Sequence, residues 1–316
     1  MAGEIFYWLL NMSILGSLTG LVVLLAGRYR RLPRRFALGL WLIPFLRLCL
    51  PAGVGSSLSL FTPMTGYLLR PVPLEVPVTL ETFIDEPLLS AMNCIRQADS
   101  YSPFSYRMES RVGPFLMEDV FRTAGTVWLL GAAVLFLTMG VLYGLTRREL
   151  RDAAHLRENI YTSPKVTVPA VYGILRPRIV LPAGYEKKTP DCVLAHERAH
   201  IRHQDNFWRL LGFCVAGLHW FNPLVWLFLR RFLEDLELAC DERVLAKLGQ
   251  QERKAYALAL VEAAESRTLF ASAFGGAGIR TRIHRILSYR RLTFLSTAAF
   301  LALALAMAWV LLTNPI

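Results

Sequence analysis

The sequence predicts a mainly α, integral membrane protein: four transmembrane helices and a small α+β domain on the cytoplasmic side. Three observations carry that expectation. The 316 residues are 54% hydrophobic, with mean hydropathy +0.39, more apolar than an ordinary water-soluble chain of this length. The apolar residues gather into four runs, 5–26, 36–50, 124–145 and 292–312, of the order needed to cross a bilayer. The arginines cluster at one end of each run.

The net charge of +11 follows from that clustering. Arg28, Arg30, Arg31, Arg34 and Arg35 follow the first run, and Arg147, Arg148, Arg151 and Arg157 follow the third. Arg280, Arg282, Arg285, Arg290 and Arg291 precede the fourth. Basic loops stay inside, so the N-terminus is expected outside, 28–35 inside, 51–123 outside and 146–291 inside. The basic balance then serves topology and attraction to anionic lipid heads. No nucleic-acid motif accompanies it, so a direct nucleic-acid partner is not expected. The first run lacks a basic leader and a small-residue cleavage site, and reads as a retained span. Of the five cysteines, Cys49, Cys192, Cys214 and Cys240 fall in spans or on the inside and only Cys94 outside. A disulfide framework is not expected, and Cys49–Cys94 is the one candidate pair.

Residues 1–50 read as two transmembrane helices joined by a basic loop with Pro33 in its turn. The second run is short, and Pro44 and Arg47 interrupt it. Residues 51–123 form an extracytoplasmic loop, extended and rich in Pro and β-branched residues at first, then of mixed charge. It is either a ligand-sensing cap or a linker folded onto the span ends. Residues 124–145 make the third transmembrane helix, and 146–291 the cytoplasmic domain. That domain opens with a charged helix at 150–159. A hairpin follows at 165–182, its strands on either side of Gly173 and Arg176-Pro177. The hairpin either offers a substrate peptide a sheet edge or simply covers the next helix.

That next helix holds His196-Glu197-Arg198-Ala199-His200, an H-E-x-x-H motif. Four residues is just over one helical turn, so the two imidazoles stack on one face, as a divalent zinc ion requires, and Glu197 stands beside them. Chance alone gives the motif in roughly one chain in a hundred or fewer at this histidine content. Thr189-Pro190-Asp191 supplies an N-cap, a first-turn proline and an acid. In a hydrolytic site Glu197 would take a proton from water activated by the metal. His203 is a surface histidine and a second-choice ligand.

Residues 207–229 are apolar enough for a further span, but Arg209, His219 and Asn222-Pro223 do not suit mid-bilayer. A single crossing would also put the next acidic stretch on the wrong side of the membrane from His196. Two short helices bent at Pro223 and returning to the same side are therefore expected. In the acidic stretch Glu237 and Asp241 lie four apart on one helical face. Glu237 is the expected third zinc ligand. Asp241 is expected to hold one histidine ring by its other N–H. Glu234, Asp235 and Glu242 read as solvated acids. A helix at 250–267, a small-residue linker at 272–278 and a basic helix at 279–291 lead to the fourth transmembrane helix, 292–312. The linker reads as a hinge or a self-cleavage site.

Together these segments resemble the BlaR/MecR-type membrane zinc metallopeptidases, antibiotic-sensing signal transducers of bacteria. The resemblance rests on the order of spans, the Val168-Pro169…Pro182 segment, His196-Glu-x-x-His200, His219-Trp-Phe-Asn-Pro-Leu-Val-Trp226 and Glu237-Leu-Ala-Cys-Asp241-Glu242. It implies a gluzincin site in a cytoplasmic α+β zinc metallopeptidase domain: one Zn²⁺ on His196, His200 and Glu237, with Glu197 as base. It also implies a multi-pass protein of the bacterial inner membrane that cleaves itself, a transcriptional repressor, or both. Oligomeric state and stimulus stay open. Sensor-bearing members continue into an external penicillin-binding domain. The sequence ends at Ile316 without an S-x-x-K after the fourth span. The signal is therefore expected through 51–123 or a partner protein, not through β-lactam acylation.

Overall fold

A 26-residue run without proline, Ala2–Gly27, forms α1 in the computed structural model, which describes residues 2–29, 32–50, 56–60, 111–112, 115–184, 191–265, 278–289 and 293–313. The expectations for most of 51–123, for Cys94, for the Thr189-Pro190 cap and for the 272–278 linker lie outside these residues. Among the described residues three helices are long and apolar enough to cross a membrane: α1, α4 (Met117–Glu149) and α10 (Phe294–Leu312). Leu130 and Leu137 of α4 and Leu301 and Leu305 of α10 are exposed, which water disfavours and lipid does not. Small residues bring α1 and α4 together. A Cβ on Gly125 would lie 2.5 Å from the Ala2 carbonyl oxygen, so only glycine allows that approach.

The second apolar run is not one helix but two, α2 (Arg34–Leu40) and α3 (Leu42–Cys49), parted at Trp41. Pro44 has no N–H for the Leu40 carbonyl and its ring crowds it, which accounts for the break just after Leu40. Arg47 is buried, its Nη1 donating to the Leu312 carbonyl at 3.3 Å. The 150–159 segment is also corrected. It holds β3 (Ala154–Arg157), which turns at Glu158 (φ 46°) into β4 (Ile160–Ser163). The strand is exposed along its length and its alternation, Ala154-His-Leu-Arg157, spans only four residues inside a charged stretch, too short a signal to outweigh the helical pattern.

With β5 (Ala170–Tyr172) and β6 (Arg178–Pro182) these strands form a sheet ordered β3-β4-β6-β5. The β5–β6 hairpin turns through Gly173 at φ 90°, as expected from the sequence. Two preceding short strands, β1 (Arg111–Val112) and β2 (Phe115–Leu116), pair with each other ahead of α4. Ile160, Ile179 and Leu181 of the sheet bury against Leu194 of α5 (Asp191–Arg202).

The 207–229 run folds as α6 (Asp205–Leu218) and α7 (Pro223–Leu245), reversed at His219–Asn222. The second helix is not short: with no breaker after Pro223 it continues for 23 residues into the acidic stretch. The reversal lies midway along α1. The Asn222 side chain accepts from the Leu224 N–H at 2.9 Å and donates toward the Ser13 and Ser17 hydroxyls, both at 2.7 Å. Trp128 of α4 donates to the Leu218 carbonyl at 2.8 Å. One side chain thus caps a helix and ties the hairpin to α1. Asn222→Ala is expected to cost about 2 kcal/mol, from the lost cap and two lost hydrogen bonds, read as a lower unfolding temperature in detergent. A change below a few tenths of a kcal/mol would show the tie to be idle.

Two acids read as solvated are not. Asp235 is buried, bonded to Arg34 Nη1 at 2.7 Å and Trp41 Nε1 at 2.9 Å. Glu242 accepts from the Arg34 and Arg35 backbone N–H groups at 2.9 and 3.3 Å, serving the first turn of α2. Their partners stand some 200 residues away in sequence, beyond the reach of local pattern. Glu234 pairs with Arg230 and Arg231 at the surface. The remaining helices, α8 (Gln250–Glu265) and α9 (Ile279–Leu287), close over the C-terminal end of α7 through Tyr256 and Ile286.

Candidate metal centre

Leu194 anchors α5 to the sheet, which turns His196, Glu197 and His200 toward α7; all three are buried. The two imidazoles stack as one helical turn dictates, with Nε2 atoms 3.1 Å apart. Opposite them stands Glu237, its Oε2 at 3.7 Å from His196 Nε2 and its Oε1 at 3.8 Å from His200 Nε2. Nitrogens bound about 2.0–2.1 Å from a tetrahedral zinc ion are roughly 3.3 Å apart.

The ring protons are placed by partners on the far sides. His200 Nδ1 lies 2.6 Å from Asp205 Oδ2, and a carboxylate only accepts, so Nδ1 donates and the neutral ring keeps its lone pair on Nε2. Tyr256 donates its O–H to Asp241 Oδ1 at 2.5 Å, so its oxygen accepts from His196 Nδ1 at 2.8 Å. Arg282, which can only donate, approaches His196 Nε2 at 3.5 Å, in keeping with an acceptor there. With both rings neutral, as metal ligation requires, two lone pairs and a carboxylate would face one another, and this donor set fits a divalent cation.

Electrostatics follow the same logic. Burial pushes His200 down, but the Glu237 charge and the Asp205 hydrogen bond outweigh it and bring the pKa up to about 9. His196 is likewise held high against its burial by Cys240, Tyr256 and Asp241. Burial would raise Glu237, yet His200, His196, Arg209 and Arg282 hold it well below the carboxylate range. Glu197 is raised, chiefly by burial, which makes it a better proton acceptor than a surface glutamate.

Asp241 Oδ1 stands 3.3 Å from His196 Nδ1, the contact expected of it, and also receives the Tyr256 O–H, while Arg282 of α9 donates to both its oxygens at 2.7 Å. Cys240 Sγ lies 3.5 Å from His196 Nδ1, and ligand atoms of His196, His200 and Cys240 fall within 4.8 Å of one another. His203 is exposed, away from the cluster. Asp205, Tyr256, Arg282 and Arg209 escaped the sequence reading. Only Arg209 had given a signal, as a charge inside an apolar run. The β5 edge faces α6, where Asn206 Nδ2 donates to the Val171 and Gly173 carbonyls at 3.1 and 2.9 Å. The strand is therefore pinned to the helix at those positions.

An H-E-x-x-H helix set against an acid-bearing helix, in a chain with three helices long and apolar enough to cross a membrane among its described residues, is the architecture of a membrane-associated peptidase. The chain belongs to the family described as BlaR1 peptidase M56, which matches residues 7–295. It is 27% identical over 150 residues to the regulatory protein BlaR1 of Bacillus licheniformis, covering 40% of this chain and 25% of that protein. It is 28% identical over 98 residues to the methicillin resistance mecR1 protein of Staphylococcus aureus, covering 30% of this chain and 17% of that protein. The matched stretch is thus a quarter or less of the length of these relatives.

Proposed function

We propose that the chain is a membrane-embedded zinc endopeptidase acting in signal-triggered proteolysis at the cytoplasmic membrane face, on itself, on a transcriptional repressor, or on both. The observation that carries this reading is the convergence of the His196 and His200 Nε2 atoms and the Glu237 carboxylate beside a buried Glu197. His196, His200 and Glu237 would hold one zinc ion, which when bound lowers the pKa of water and polarises a carbonyl. Asp205 orients His200. Asp241 orients His196 through Tyr256, and Glu197 takes the water proton and returns it to the leaving amine. The domain 146–291 is read as cytoplasmic, with 1–50, 124–145 and 292–312 in the bacterial inner membrane and 51–123 outside. The reversal at 219–222, midway along α1, makes α6 and the first half of α7 a re-entrant pair.

One observation favours a second reading. Cys240 could close the metal site as a fourth protein donor, making it structural, in a receptor that signals without cutting. Its sulfur lies on the Nδ1 side of His196, which Tyr256 already occupies, whereas the Glu237 oxygens face Nε2; Glu237 is the better third donor. Zinc titration of the purified chain against a chelator separates the two. Glu237→Gln should weaken zinc binding by about 10²-fold or more, at roughly 1.4 kcal/mol per decade, and Cys240→Ser should leave it within threefold. The reverse order would overturn the ligand set and favour the closed site.

A further inference from the structure

Two arginines flank Glu237, and they are not equivalent. Arg282 is buried (4% exposed) and spends its guanidinium on both Asp241 oxygens, with Nη1 at 3.8 Å from Glu237 Oε2. Arg209, on α6, forms an ion pair through Nη2 with Glu237 Oε1 while 34% of its side chain remains exposed. It therefore stands on the open side of the cluster, where a substrate must arrive. Its charge also reaches Glu197, on which it acts to favour the carboxylate. A guanidinium has five N–H donors in a fixed fork, so one bond to Glu237 leaves others to offer. As counter-charge for Glu237, Arg282 and the two histidines already serve. A second cation kept partly in solvent, in a stretch otherwise apolar enough for a membrane span, calls for a different role.

We propose that Arg209 is a catalytic residue of the peptidase: its free N–H donors take the negative charge that develops on the scissile carbonyl oxygen. This rests on the zinc-peptidase reading above. Water oxygen bonds to the carbonyl carbon, its proton passes to Glu197, and the C=O π pair moves onto oxygen. Arg209 donates hydrogen bonds to that oxygen and stays protonated throughout. On collapse the lone pair re-forms the carbonyl, the C–N bond breaks, and the Glu197 proton leaves on the amine. Glu237 fixes the guanidinium beforehand, so no reorganisation is needed as charge builds.

The test uses the full chain in nanodiscs, with Arg209→Ala and Arg209→Lys beside wild type. Four quantities are read: zinc affinity, casein cleavage, and affinities for a phosphinic peptide carrying a tetrahedral oxyanion and for a hydroxamate without one. For Arg209→Ala we expect kcat to fall by about 10²–10³ with KM within threefold, and phosphinic-peptide affinity to fall in step. Zinc and hydroxamate affinities should hold, and Arg209→Lys should recover part of the loss. Zinc affinity falling together with cleavage, or phosphinic affinity left unchanged, would reduce Arg209 to a counter-charge for Glu237. A wild-type chain that binds zinc but neither cuts casein nor binds the phosphinic peptide would overturn the peptidase reading itself, and this proposal with it.

Discussion

Glu197→Gln is expected to keep one zinc per chain and to lower proteolysis by about 10²–10⁴-fold, the range for removing a positioned general base. The glutamine fills the same volume and leaves His196, His200 and Glu237 untouched, so metal content and fold should match wild type. What is lost is an acceptor whose proton affinity is raised mainly by burial, on the same helical turn as the two imidazoles. Metal analysis with N-terminal sequencing of any fragments, for both proteins side by side, checks this. Undiminished cleavage by the variant would remove Glu197 from the mechanism. Loss of zinc in the variant would assign Glu197 to the metal instead.

The second large effect is expected at Arg282. Replacing it by Met leaves Asp241 charged and unpaired at 2% side-chain exposure, and breaking a buried pair from one side costs about 3–5 kcal/mol. The pH dependence gives a signature. Burial acts to raise Asp241, but the Arg282 charge and hydrogen bonds dominate and bring it down to about 2 from 3.8. A depressed carboxylate contributes its full stability above the unfolded value. That contribution fades as pH falls from about 4 through about 2. In Arg282→Met burial is unopposed by that partner, so Asp241 should take up its proton at higher pH. The stability gap between the two proteins should therefore begin to narrow at that higher pH and go on narrowing until about pH 2. Thermal unfolding in detergent at stepped pH measures it, and a constant gap would mean that Asp241 and Arg282 are not coupled. Because Asp241 steadies Tyr256, which accepts from His196, zinc affinity should also drop by about 10–100-fold.

Arg282 lies on α9, close before the apolar helix α10 in the chain.

The local features were legible in the sequence because each depends on neighbours in the chain. Residues four apart on a helix must stack, which fixed His196 above His200. An asparagine before a proline ends one helix and caps the next, which placed a bend at Pro223; the chain reverses just before it, at 219–222. β-Branched residues around Gly173 gave the β5–β6 hairpin. Where the local signal was weak the reading slipped: the exposed strand β3 looked helical, and Pro44 split the second apolar run into α2 and α3 at Trp41.

The sequence by itself determined which residues point the same way, His196 with His200 and Glu237 with Asp241, and which runs are apolar enough to become α1, α4 and α10. Only the tertiary structure decided what those faces meet. It set Asp205 behind His200, put Tyr256 between Asp241 and His196, brought Arg282 from α9, buried Asp235 and paired Glu242 with the start of α2, and left Arg209 open beside Glu237. The physical reason is that helical periodicity orients a side chain about its own axis. The partner across the gap depends on the packing of helices far apart in the chain, which no local spacing encodes.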